Sequence, residues 1–359
     1  MHNHLKTLLI SCIFSGSVCA AESAQMRNLE QRIGVLEQRT GAKGLRNPPA
    51  RMQVEDGCNL AASVELLYWN YHTDDLSVCI KSRSLVASQL LHASVRHAPF
   101  AWDWGFRLGL SYNIPHDHWE ASLKWIHYWP GKEKASVGAS NGGTTGTLVT
   151  TQARGEGAPV TVNHSRASSR LRLDLLDAQI GRHFFVSRFL SVKPTVGLRA
   201  AQIDQHFGVG YKGGATLGAT QKWGAHFKND FWGVGLIGGL DTRWSAGGGW
   251  SLYGNAALSL LYGVFSKRVE QESEAIGGTS STSAIEASSK FRSTKAITDL
   301  ALGARWERLF EGGRYGLIAQ LGWEHHLFFS QTQYLSRFAI SQEGDLSTQG
   351  WTLSATFAF

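Results

Sequence analysis

From residue 60 onward, apolar and polar positions alternate. At residues 102–112, Trp102, Trp104, Phe106, Leu108, Leu110 and Tyr112 fall on one side, and Asp103, Gly105, Arg107, Gly109 and Ser111 on the other. A period of two marks a β-strand, whose successive side chains point to opposite faces. After a turn at residues 113–117 the alternation resumes, with Trp119, Ala121, Leu123, Trp125, His127 and Trp129 against Glu120, Ser122, Lys124, Ile126 and Tyr128. These stretches predict a long antiparallel hairpin. The same rhythm returns from residues 189, 250 and 314, with weaker partners near 168–184, 230–244 and 292–306. In the first of these partners the phase changes around Leu175 and Leu176, which predicts a bulge. With an opening strand at 60–71 and a final one at 349–359, ten strands are expected.

The connections decide how these strands are arranged. Links near 113–117, 185–188, 245–249 and 308–313 are tight, whereas those near 72–95, 130–167, 204–229, 266–291 and 329–348 are long and polar. An even strand count with short and long links in alternation predicts an all-β fold, a transmembrane antiparallel up-and-down β-barrel with short periplasmic turns and long extracellular loops. In lipid every backbone amide needs a partner within the protein, and a closed sheet supplies one without leaving an edge. Trp119, Trp244, Trp250 and Trp306 are then expected in the periplasmic aromatic girdle, and Trp69, Trp102, Trp129, Trp232, Trp323 and Trp351 in the outer one. The last residues set Trp351, Leu353, Ala355, Phe357 and Phe359 on one face. This resembles the terminal strand that outer-membrane assembly machinery recognises, with Phe359 as the assembly signal. Outer-membrane lipid and that machinery are the expected partners.

The N-terminal region follows a different pattern. Residues 1–20 carry one early Lys, a short apolar core from Leu8 to Phe14 and the small-residue ending Val18-Cys19-Ala20, the layout of a secretory signal peptide. In residues 21–57, Met26, Leu29, Ile33 and Leu36 are spaced by three and four, as in a coiled-coil seam. Two heptads are too short to be stable alone; an oligomerisation stalk for a homo-oligomer and a solvated helix on a linker both stay open. The barrel is assigned to residues 58–359. Removal of the signal leaves Cys58 and Cys79, which would lie near opposite ends of a strand, so free thiols or intermolecular pairing are expected rather than a local disulfide.

Composition narrows the alternatives. The 359 residues include 40 Gly and 13 Trp, with 43% hydrophobic and 18% charged. Such aromatic content excludes a disordered chain. No apolar run is long enough for a membrane helix, and the mean hydropathy is -0.17. A net charge of +7 suggests a polyanion partner. The basic residues are interspersed with acidic ones, however, and nucleic acid is not expected.

On the inward face the alternation puts Asp103, Arg107, Glu120, Lys124, Lys193, Arg199, Asp299, Arg305 and Glu324. They can pair across the lumen or line an aqueous pathway. Small barrels are filled by side chains, so ten strands predict a narrow pore. Neither a metal site nor a cofactor is expected, since His325 and His326 are adjacent and point to opposite faces. Asp204 with His206, and His72 with Asp74 and Asp75, are the candidates for a rim protease, but the strand phase turns Asp204 and His206 toward lipid. The Ser-, Thr- and Gly-rich loops at 137–168 and 266–290 support a further alternative, a surface adhesin or structural protein.

Three segments, WDWGFRLGLSYNIPHDHW from Trp102, SVKPTVGLR from Ser191 and LGWEHHLFF from Leu321, resemble the Legionella-type pore-forming outer-membrane proteins, also called major-outer-membrane-protein-like. The likeness covers most of the chain after the signal, although the long loops match nothing in it. It implies a pore in the outer membrane of a Gram-negative-type bacterium, in keeping with an oligomer, and passive diffusion of small hydrophilic solutes. The shared motifs are architectural, and no catalytic residue carries over.

Overall fold

A computed structural model describes residues 54, 58–74, 76–82, 94–98, 100–114, 119–138, 147–150, 161–213, 221–275, 281–335 and 341–359. The expected signal peptide, the helical stretch and its oligomer seam, and Asp75 lie outside the described residues. The strands are β1 (Leu60–Thr73), β2 (Ser77–Ser82), β3 (Ser94–His97), β4 (Trp102–Asn113), β5 (Trp119–Tyr128), β6 (Glu133–Gly138), β7 (Thr147–Thr150), β8 (Thr161–Val162), β9 (His164–Arg182), β10 (Phe184–Phe185), β11 (Leu190–Lys212), β12 (Gln221–Gly247), β13 (Trp250–Ala275), β14 (Ser281–Phe310), β15 (Tyr315–Leu335) and β16 (Ser341–Ala358).

Antiparallel ladders run β11–β12–β13–β14–β15–β16–β1–β4–β5–β9, and β9 pairs back onto β11, so the sheet closes on itself. With the short β6 and β10 attached, this sheet has twelve strands rather than the ten expected. Both additions are continuations. β6 pairs with the outer part of β9, whose inner part pairs with β5. Between β5 and β6 stand Pro130, which has no N–H to donate, and Gly131, whose N–H bonds the Asp103 carboxylate at 2.7 Å. A second sheet of four strands, β3-β2-β7-β8, stands apart from the ring.

The first and last strands of the barrel meet where the turns are short. Leu60 and Phe359 exchange backbone hydrogen bonds of 3.1 and 2.9 Å. At the β12–β13 turn, Gly248 and Gly249 have φ of +62° and +83°, the left-handed geometry a two-residue hairpin requires.

Two expectations are corrected. β9 pairs with β5 and β11 without a register shift, so there is no bulge at Leu175 and Leu176. Leu171, Leu173 and Leu175 are buried inward while Leu176 faces out at 44% exposure. Apolar residues on both faces of one level, interior on one side and lipid on the other, only imitate a change of phase. The second correction concerns the loops. β11 to β14 contain 23, 27, 26 and 30 residues, whereas roughly 9–11 residues cross a bilayer. Most of the expected loops at 204–229 and 266–291 are therefore strand. Trp223, within the link expected near 204–229, lies on β12 and is buried.

The barrel's interior is apolar toward the end away from the short turns. Leu67, Trp69, Tyr128, Leu173, Phe231 and Phe265 belong to one buried cluster. Phe207, Val209, Tyr211, Trp223 and Phe227 belong to another, which takes in Leu76, Val78, Cys79 and Val162 from in and around the small sheet. The Tyr211 hydroxyl donates to the Val78 carbonyl at 2.5 Å and fastens that sheet in the outer mouth. Cys58 and Cys79 are both free.

Candidate functional site: the barrel interior

The lumen divides into three levels. Nearest the short turns is a polar cavity of about 200 Å³, whose lining includes Glu120, Lys124, Lys193, Asp241, Arg243 and Arg305. Lys193 lies 3.1 Å from Glu120 and 3.4 Å from Asp241. Arg243 and Arg305 converge on Glu307 at 2.9 and 3.0 Å. His183 adds a contact of 3.1 Å to Glu120.

Above the cavity, charges are linked from wall to wall. Arg107 of β4 donates to Glu65 of β1 at 2.5 Å and to Glu324 of β15 at 2.7 Å. His326 sits between Glu324 and Asp299, with its ring nitrogens 3.3 and 2.7 Å from them. Arg199 of β11 reaches Asp299 of β14 at 2.6 Å and grips Asp177 of β9 with two bonds of 2.7 Å. β11 and β14 are not neighbours in the ring, so this bond spans the lumen. Buried charges of this kind persist only when paired and hydrogen-bonded.

The third level is apolar, and the outer part of β15 itself enters it. The β14–β15 ladder stops at Ile297 and Phe328, although both strands continue. Toward β16 the register shifts between Phe328 and Thr332, and Ser330 takes the left-handed φ of 47°. Beyond that kink Gln331, Thr332, Gln333 and Tyr334 are all at most 3% exposed. Consecutive strand residues point to opposite faces, so burial of all four means that the strand has left the wall for the interior. Gln205 on β11 donates to Thr332 at 3.1 Å, Asn229 on β12 donates to the Gln331 carbonyl at 3.0 Å, and Tyr334 meets Phe207 tilted and Phe227 edge-on. Lys295 donates to the Ser330 carbonyl at 2.6 Å.

Of the residues expected to line the lumen, Arg107, Glu120, Lys124, Lys193, Arg199, Asp299, Arg305 and Glu324 share its interior. Asp103 instead holds the Pro130–Gly131 turn, and its other oxygen accepts from the Trp104 N–H at 2.8 Å. Sequence reasoning missed Glu65, Asp177, His183, Asp241, Arg243, Glu307 and His326. Extending the two-residue period through the weaker strands would have found most of them.

The girdle residues Trp119, Trp129, Trp232, Trp250 and Trp323 face outward at 36–57% exposure. Trp306, partner of Trp250, is half-buried on the same face. Trp69 departs from expectation: it is fully buried inside, donates to Thr352 at 3.2 Å and packs on His326. Its neighbours on the inward phase of β1 are Glu65, Leu67 and Tyr71, which places it with the core. Asp204 and His206 sit on β11, outward as the phase required, and His72 near the end of β1 pairs with Asp74 just beyond it at 3.4 Å. The ring separates the two pairs by β4, β5 and β9. Among the described residues, no three His, Cys, Asp or Glu side chains are grouped to hold a metal.

No curated protein sequence matches the chain. Among solved structures, the outer membrane protein AlkL in DMPC bilayers has a TM-score of 0.28 at 14% identity, over 73% of this chain and 95% of that one. The Pseudomonas putida toluene transporter TodX has 0.27 at 8% identity, over 84% and 89%. A Pseudomonas aeruginosa FadL homologue has 0.25 at 8% identity, over 84% and 89%. The family model described as Legionella pneumophila major outer membrane protein precursor matches residues 58–359. This outer-membrane β-barrel therefore belongs to the Legionella major outer membrane protein family.

Proposed function

We propose that the protein is an outer-membrane channel for small hydrophilic solutes, held shut by the outer arm of β15. The observation that carries this reading is the unfinished ladder between β14 and β15. Continuing its register would set Ser330 opposite Lys295, Thr332 opposite Ser293 and Tyr334 opposite Phe291. In that arrangement Gln331 and Gln333 face outward and Thr332 and Tyr334 inward, so the arm's sequence suits the wall as well as the lumen. The inward state leaves the Gln331 amide nitrogen and the Asn229 oxygen without partners. Buried unpaired polar atoms oppose that state. Moving the arm outward would open the apolar level to the polar cavity below.

The test is Ser293→Cys with Thr332→Cys in a chain carrying Cys58→Ser and Cys79→Ser, reconstituted in planar bilayers. Oxidation is expected to join the pair and raise conductance, and reduction to reverse it. Conductance that ignores oxidation of a joined pair rejects the arm as barrier. The small sheet fixed in the outer mouth favours a second reading, a surface-structural protein. A folded barrel that stays electrically silent in every state supports that reading and rejects the channel.

A further inference from the structure

The outward face carries a concentration of charge independent of the lumen. Arg170 of β9, His206 of β11, Lys228 of β12 and Arg268 of β13 are successive cross-strand partners. All four are exposed. Directly opposed like charges repel; Arg170, Lys228 and Arg268 are the fixed cations of the row, while partial burial and the neighbouring Lys228 hold the His206 imidazole below its usual range. One step further out the wall is tight, since a Cβ on Gly208 would meet the Ser168 hydroxyl at 2.8 Å and the His226 ring at 3.0 Å. The pocket there is about 240 Å³ and is bordered by Lys132, Arg170, His206, His226, Lys228 and Arg268, with Glu270 its one carboxylate among the described residues. Lys228 lies 2.9 Å from Asp230, and Arg268 lies 3.4 Å from Glu286 and 3.7 Å from Glu270. Arg170 and His206 form no ion pair among the described residues.

Position identifies the anion. On β12, Lys228 stands four residues beyond the girdle residue Trp232, about 13 Å along the strand. On the lipid side of the same strands a mainly apolar groove of about 350 Å³ runs between Trp125 and Trp232 over Leu176 and Ala200, with Asp174 and Gln202 also in its lining. A cationic shelf just outside the girdle with an apolar groove beneath it fits a molecule with a phosphorylated head and acyl chains. We propose that the row Arg170–His206–Lys228–Arg268 binds the phosphate groups of the acylated glycolipid of the outer leaflet, with one acyl chain in the groove.

The full-length protein in mild detergent, titrated with diphosphorylated lipid A and observed by native mass spectrometry, tests this. Arg170→Gln with Lys228→Gln is expected to weaken retention at least roughly tenfold. Arg170→Lys with Lys228→Arg should retain the lipid, and dephosphorylated lipid A should bind as weakly as the glutamine variant. A heat-shifted gel band shows that each variant is folded. Equal retention by wild type and glutamine variant, or of phosphorylated and dephosphorylated lipid, overturns the proposal. Displacement of lipid A by inorganic phosphate at equal concentration overturns it in favour of a free-anion site. Binding of heparin without lipid A overturns it in favour of a polysaccharide surface.

Discussion

Arg107 shows what single residues contribute to this interior. Its guanidinium is the only cation within ion-pair distance of Glu65 among the described residues. Arg107→Met would leave the buried Glu65 and Glu324 without the cation they share, and removing one partner of a buried pair costs about 3–5 kcal/mol. Arg172, whose side chain is 54% exposed beside Asp174, is the comparison: Arg172→Gln should change stability by less than about 1 kcal/mol. Urea titration of the reconstituted protein by tryptophan fluorescence checks both. Glycines matter equally. Gly303 and Gly322 are cross-strand partners, and the Tyr253 ring lies over them, so a Cβ on Gly322 would collide with the Tyr253 oxygen. Gly322→Val must displace that ring and should destabilise the barrel by about 1–3 kcal/mol in the same titration. The inward place of Arg107 and Glu324 was legible because β4 and β15 alternate strictly. The role of His326 was not, since its value lies in bridging two carboxylates from β14 and β15, a relation that no local period encodes.

Among the elements, β4, β5 and the inner halves of β11 and β13 were readable because each has lipid on one side and a polar or glycine-lined lumen on the other. β9 was misread where both sides are apolar, and the outer parts of β11 to β14 where the outward side meets water. There the contrast inverts: His206 and Lys228 are exposed while Phe207 and Phe227 are buried. The small sheet offers a direct check on its seating. Cys79 on β2 is buried, and burial pushes its thiol up, whereas Cys58 is exposed. Maleimide at neutral pH should label Cys58 rapidly and Cys79 far more slowly, with the Cys79 rate rising as pH increases. Equal rates would mean that the sheet does not occupy the mouth. At the other end of the barrel, deleting Phe359 removes the expected assembly signal and both backbone bonds to Leu60, the terminal pair of the β1–β16 ladder. Less folded, heat-modifiable protein in the membrane fraction is the expected outcome.

At the scale of the whole molecule, the membrane needs little of this barrel. About ten residues per strand suffice to cross, yet β14 has 30 and β12 has 27. What projects past the Trp232 level is still laddered on both sides, with Lys228 held between His206 and Arg268, and Arg268 between Lys228 and Ser288. A protease must draw several residues of slack chain into its cleft, and a hydrogen-bonded strand yields them only by local unfolding. Trypsin added to intact cells should therefore spare the bonds after Lys228 and Arg268, although both side chains are open to water. Among the described residues, the surface that β11 to β14 show beyond the girdle is woven wall, and enzymes that graze on slack chain will find little hold on it.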